Sequence, residues 1–84
     1  MKNETGSLRR GIARGGEAWF LNDRSLHGGD IVELCCSGGW ITGRFEHDVG
    51  TGGAPTFFFS IELGEGRVAQ MSISLPEGAL MRLA

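Results

Sequence analysis

Leu26-His27-Gly28-Gly29-Asp30, Ile31-Val32-Glu33-Leu34-Cys35-Cys36, Ser37-Gly38-Gly39 and Trp40-Ile41-Thr42-Gly43-Arg44-Phe45-Glu46 follow one another without a break, and their reading decides the fold. The first group is a turn, because paired glycines beside an aspartate adopt backbone conformations closed to most residues. The second is a strand. Residues two apart share a face, which sets Val32, Leu34 and Cys36 against Ile31, Glu33 and Cys35, and the Val32 face is assigned to the core. Ser37-Gly38-Gly39 reverses the chain tightly. In the return strand Ile41, Gly43 and Phe45 face inward, while the mostly polar set Trp40, Thr42, Arg44 and Glu46 faces out.

Toward the N-terminus, Leu8 to Arg14 and Glu17 to Leu21 read as a hairpin about Gly15-Gly16. Met1 to Ser7 is polar and is expected to be a mobile lead-in to one domain spanning residues 8–84. Asn22-Asp23-Arg24-Ser25 is a turn cluster. Toward the C-terminus, His47 to Pro55 is a glycine-rich loop. Thr56 to Leu63 then alternates cleanly, with Phe57, Phe59, Ile61 and Leu63 on one face and Thr56, Phe58, Ser60 and Glu62 on the other. Gly64-Glu65-Gly66 returns it into Arg67 to Ile73, with Ala69, Met71 and Ile73 inward and Val68, Gln70 and Ser72 outward. Leu75-Pro76-Glu77-Gly78 is a bend before a last strand, Ala79 to Ala84.

The chain has 84 residues, fifteen glycines and two prolines. A domain this small buries only about 60% of the surface its unfolded chain exposes. Without helical periodicity, the pattern is all-β: five to seven short, mainly antiparallel strands, too few for an immunoglobulin-sized sandwich. Closure into a small SH3-like barrel removes exposed edges and is the expected architecture. The first 24 residues carry five cations against three acids, a net +2; the rest carry three arginines against seven acids, a net −4. That balance argues against nucleic acid as a partner, since phosphate neutralisation needs a cationic excess, and leaves Arg9, Arg10 and Arg14 as the one basic cluster for a weak nucleic-acid-binding reading. Cys35 and Cys36 are neighbours that point to opposite faces, which excludes an unstrained bridge between them. No apolar run approaches 18 residues and no signal segment is apparent, so no membrane is expected and the cytoplasm is the expected location.

Leu26-His27-Gly28-Gly29-Asp30-Ile31-Val32-Glu33, Gly39-Trp40-Ile41, Gly43-Arg44-Phe45-Glu46, Leu75-Pro76-Glu77-Gly78 and Arg82-Leu83 together resemble the bacterial domain-of-unknown-function family 5348. That family has a Leu-His-x-Gly-Asp turn and a Trp-x-x-x-Arg-x-Glu strand. The resemblance covers most of the chain from Gly11 onward and implies a small β protein with no assigned activity. Gly28 stands where many of those relatives carry a cysteine. A weaker resemblance is to the plasmid-borne, SH3-like dihydrofolate reductases, tetramers around one pore: Gly29-Asp30-x-Val32, Ser37-Gly38-Gly39-Trp40, Val68-Ala69-Gln70-Met71-Ser72 and Ala79-Leu80-x-Arg82 keep the same order. It implies NADPH as cofactor, with Gln70 matching the pore glutamine. Ser72 replaces the pore tyrosine, and the pore lysine has no counterpart after Asp30.

Motif chemistry is sparse. Cys35, Cys36, His27 and His47 are four soft ligands without metal-site spacing, so no metal is expected. Cys35, His47 and Asp48 lack any nucleophile elbow. Gly50-Thr51-Gly52-Gly53 lacks the Gly-Lys-Ser/Thr ending and following helix of a phosphate loop. The outward aromatics Trp19, Trp40 and Phe58, rimmed by Arg44, Glu46 and Glu62, are the functional lead. The expected function is a non-enzymatic interaction module that self-associates, or captures another protein, through that aromatic face, without a cofactor. A pore-type reductase using NADPH, Gln70 and Ser72 is the alternative.

Overall fold

Short turns cut the chain into eight strands: β1 (Gly6–Ala13), β2 (Gly16–Leu21), β3 (Arg24–Leu26), β4 (Ile31–Cys36), β5 (Gly39–Glu46), β6 (Thr56–Gly64), β7 (Arg67–Ser74) and β8 (Leu80–Leu83). The computed structural model describes residues 4–13, 16–47 and 53–84. Met1 to Asn3 of the lead-in, Arg14 and Gly15 of the first hairpin, Asp48, and Gly50-Thr51-Gly52 lie outside the described residues. Ser37 and Gly38 both have positive φ, 54° and 81°, as a two-residue hairpin turn between twisted strands requires. Glu65 and Gly66 repeat that arrangement between β6 and β7. At the turn between β3 and β4, the Asp30 amide donates to the His27 carbonyl at 3.0 Å and the His27 amide to the Asp30 carboxylate at 2.9 Å.

All strand pairs are antiparallel, in one sheet of order β3-β2-β1-β8-β4-β5-β6-β7 that does not close on itself. Eight strands replace the expected five to seven, and the additional one is β3. Asn22, at φ 57°, makes Asn22-Asp23 a two-residue turn, so Arg24, Ser25 and Leu26 pair back onto Leu21, Phe20 and Trp19. The sheet also starts earlier than Leu8, because Gly6 and Ser7 pair with Met81 and Leu80. β8 lies between β1 and β4, which brings the first and last strands together in the interior of the sheet.

The sheet coils around one core formed by Leu8, Trp19, Leu21, Leu26, Val32, Leu34, Phe45, Phe57, Leu75 and Met81. Coiling carries Trp19 of β2 to His47, just past the end of β5, although three strands separate them in the sheet; the indole N–H donates to His47 Nε2 at 3.2 Å. Val32, Leu34 and Phe45 lie inward as the alternation requires. Two face assignments change. Cys36 is exposed, because the core ends at Leu34 and the tip of the β4–β5 hairpin projects past it. Trp19 is only 3% exposed: it shares the inner face with Leu21, and Phe20 takes the outer position, where Gly11 leaves room for its ring.

β5 and β6 pair only through Arg44, Phe45 and Glu46 against Phe58, Phe57 and Thr56. From Phe59 onward β6 is paired with β7 alone among the described residues, and the two strands continue as a two-stranded arm. The extents of 46 × 31 × 20 Å express that elongation.

Candidate interaction site

The outer face of β8, β4, β5 and β6 carries four of the five residues expected to bind. Arg82 and Thr42 both pair with Glu33 in register, so the three form a row across β8, β4 and β5. Arg82 Nε donates to Glu33 Oε1 at 2.5 Å, and Thr42 donates to Glu33 Oε2 at 3.2 Å. The same guanidinium lies over the Trp40 ring, 4.0 Å from its centroid. Trp40 is half-buried beneath it, at the outer face the sequence assigned. One row further, Arg44 lies over Phe58 at 5.1 Å and bonds Glu46 at 2.7 Å. Each aromatic of this face is therefore capped by an arginine that also holds a carboxylate.

Electrostatics here centre on Glu33. Its hydrogen bond with Arg82 holds the carboxyl below its ordinary value of 4.5; the Arg82 charge and Thr42 add to the lowering, and partial desolvation opposes it. A carboxylate whose folded value is lowered stabilises the fold fully above the unfolded value, and that contribution disappears as pH falls through the folded value. Glu33→Gln should thus melt at lower temperature than the parent at about pH 7, and the gap should close as the pH is lowered below the ordinary carboxylate range. An equal gap in thermal melts across that pH range would show that Arg82 gains nothing from the Glu33 charge.

Beside Phe58, a shallow depression of about 220 Å³ is lined by Glu46, His47, Thr56 and Phe58, smaller than the roughly 300–1,000 Å³ of small-molecule sites. Trp19 does not join this surface; Arg10 stacks over it at 5.0 Å and His47 meets it edge-on. Gly28 lies against the same region, since a Cβ there would come within 2.9 Å of Glu46 Oε1. No three of the histidine, cysteine, aspartate and glutamate side chains come together in a metal-holding group among the described residues. Nor is any described helix long and apolar enough to cross a membrane.

The arm is the second surface. Ile61, Leu63, Met71 and Ile73 are 38%, 57%, 40% and 40% exposed, and Val68 is 56% exposed. Ile61, Met71 and Ile73 continue the inner face outward from the stacked Phe57 and Phe59 rings. Gln70 and Ser72 of the reductase reading are exposed on the opposite face, where Ser60 donates to Gln70 Oε1 at 3.1 Å. Alternation put Ile61, Met71 and Ile73 on the face of Phe57 and Phe59, where the register has them, but they are exposed rather than inward. Their exposure follows from the offset pairing of β5 with β6, three residues only, which no pattern within either strand reveals. Nothing local announced Arg82 over Trp40, which depends on β8 entering beside β4.

Comparison with known proteins returned no matching family model, no matching curated protein and no matching solved structure for this chain.

Proposed function

We propose that the chain is a non-enzymatic interaction module that associates with a second copy of itself. The observation carrying this reading is the arm. Its Ile61, Met71 and Ile73 side chains lie exposed along one face, with Leu63 and Val68 exposed at its far end, an apolar surface outside the core of the kind that marks an interaction site. A stable interface takes about 800 Å² from each partner, so the backbone and polar side chains of the arm join its apolar ones in it. A core this thin also gains from further burial. The expected surface thereby moves from the Trp40 row to the arm, with Phe58 at their junction.

The coiled sheet is, on this reading, an open variant of the SH3-like barrel, with the Trp19–His47 contact bridging the gap that strand pairing leaves. The likeness to domain family 5348 remains a proposal resting on the turn, Trp40, Arg44 and Glu46. Light scattering should give a mass near twice the 9.0 kDa of one chain. Met71→Ser with Ile73→Ser should reduce that mass toward one chain at equal concentration. Trp40→Ala should unfold cooperatively and keep the parent's mass. A monomer at every accessible concentration would overturn the proposal, and saturable NADPH binding by calorimetry would replace it with the reductase reading.

A further inference from the structure

We propose that two copies join edge to edge through β7, in antiparallel register about a two-fold axis at Met71. This deepens, and rests on, the self-association reading above.

The ladder shows which backbone groups are free. Leu75 N–H donates to the Pro55 carbonyl at 2.9 Å, in the register that pairs Phe57 with Ile73, Phe59 with Met71 and Ile61 with Ala69. Hydrogen-bonded pairs alternate in an antiparallel ladder. Ala69, Met71 and Ile73 therefore direct their N–H and C=O groups at β6, while Val68, Gln70, Ser72 and Ser74 direct theirs outward. As the last strand of the sheet, β7 leaves those outward groups without a neighbouring strand among the described residues.

Edges are normally protected by charge, proline, bulges or brevity. β3, the other edge, is three residues long and begins with Arg24. The part of β6 that extends past its pairing with β5 carries Glu62 and a bulge between Glu62 and Gly64. β7 begins with Arg67, but the seven residues after it, Val68 to Ser74, have no charge, no proline and no bulge.

The strand is also complementary to itself. Ala69-Gln70-Met71-Ser72-Ile73 has the same order of apolar and polar residues in both directions. Centred on Met71, antiparallel pairing places Gln70 opposite Ser72 and Val68 opposite Ser74 of the other copy, which matches outward backbone groups with outward backbone groups. It sets Met71 against its own counterpart and Ala69 against Ile73, joining the two apolar ribbons into one. With no charge from Val68 to Ser74, the paired segments of two identical copies meet without repulsion.

The test has three arms. Ser72→Pro removes an outward N–H and no bond to β6, so the chain should melt as the parent does yet weigh one chain by light scattering. Amide exchange on the unmodified protein should slow at Gln70 and Ser72 by at least about tenfold as concentration rises through the dimerisation range. Met71→Lys should dissociate the pair by opposing two like charges, and mixing it with Met71→Glu chains should restore a heterodimer. A dimer that survives Ser72→Pro, leaves those amides fast and is not restored by mixing overturns edge pairing while self-association stands. A parent protein that is monomeric throughout overturns both.

Discussion

Trp19→Ala is expected to abolish the cooperative unfolding transition of this chain, or to move it below ordinary temperatures. Truncating a buried tryptophan costs about 3–5 kcal/mol, and an 84-residue domain has only about 4–12 kcal/mol in total. The site has little capacity to collapse around the gap. Trp19 lies among Leu8, Leu21 and Leu26 in the core, its N–H is held by His47, and Arg10 stacks over its ring. Its loss removes the wedge between β2 and the end of β5 and leaves His47 without its donor. Denaturant titration followed by circular dichroism measures the effect, and Trp40→Ala supplies the contrast, with a loss of no more than about 1–2 kcal/mol because that ring is half-buried. If both variants unfold at the same denaturant concentration, Trp19 is not what fastens the coiled sheet.

That pair of tryptophans also shows what could be read from the chain alone. β4 and β5 were legible to within a residue, because alternation, the Ser37-Gly38-Gly39 connection and the Gly28-Gly29-Asp30 turn all act locally. Trp40 was placed outward by its polar companions Thr42, Arg44 and Glu46, and it lies there. β2 gave no such help: Trp19 and Phe20 are both aromatic, and the choice of face depends on Gly11 across the strand pair and on His47 from a distant turn. β3 was hidden because three residues carry no measurable alternation. Cys36 shared a face with Val32 and Leu34, but how far the core extends along a strand is set by the strands packed over it. The same non-local dependence hid the arm: the residues of β6 and β7 read as core, and only the short pairing of β5 with β6 exposes them. Of the candidate site, single residues were legible and their arginine caps were only half so, since Arg44 neighbours Glu46 in sequence while Arg82 arrives from β8.

Gly43→Ala should cost about 3 kcal/mol, toward the upper end of overpacking penalties, although it adds a single methyl group. Gly43 sits where β5 and β6 begin to part, and a Cβ there would lie 2.5 Å from Phe57 Cζ and 2.5 Å from the Phe58 carbonyl oxygen. Real Cβ contacts do not approach so closely, and neither obstacle can simply swing aside. Phe57 is fully buried and stacked on Phe59 at 5.4 Å, and the second obstacle is backbone. The two contributions can be separated by a double-mutant cycle. Phe57→Leu shortens the obstructing ring, so Gly43→Ala should cost less in that background than in the parent, with a coupling of about 1 kcal/mol. A remainder should persist, because the Phe58 carbonyl stays in place. Additive stabilities in urea titration would show that the ring is not the obstacle, and full relief would show that the backbone is not. The partial result would mean that Gly43 fixes how closely β6 approaches β5, and with it the point at which the arm leaves the body of the sheet.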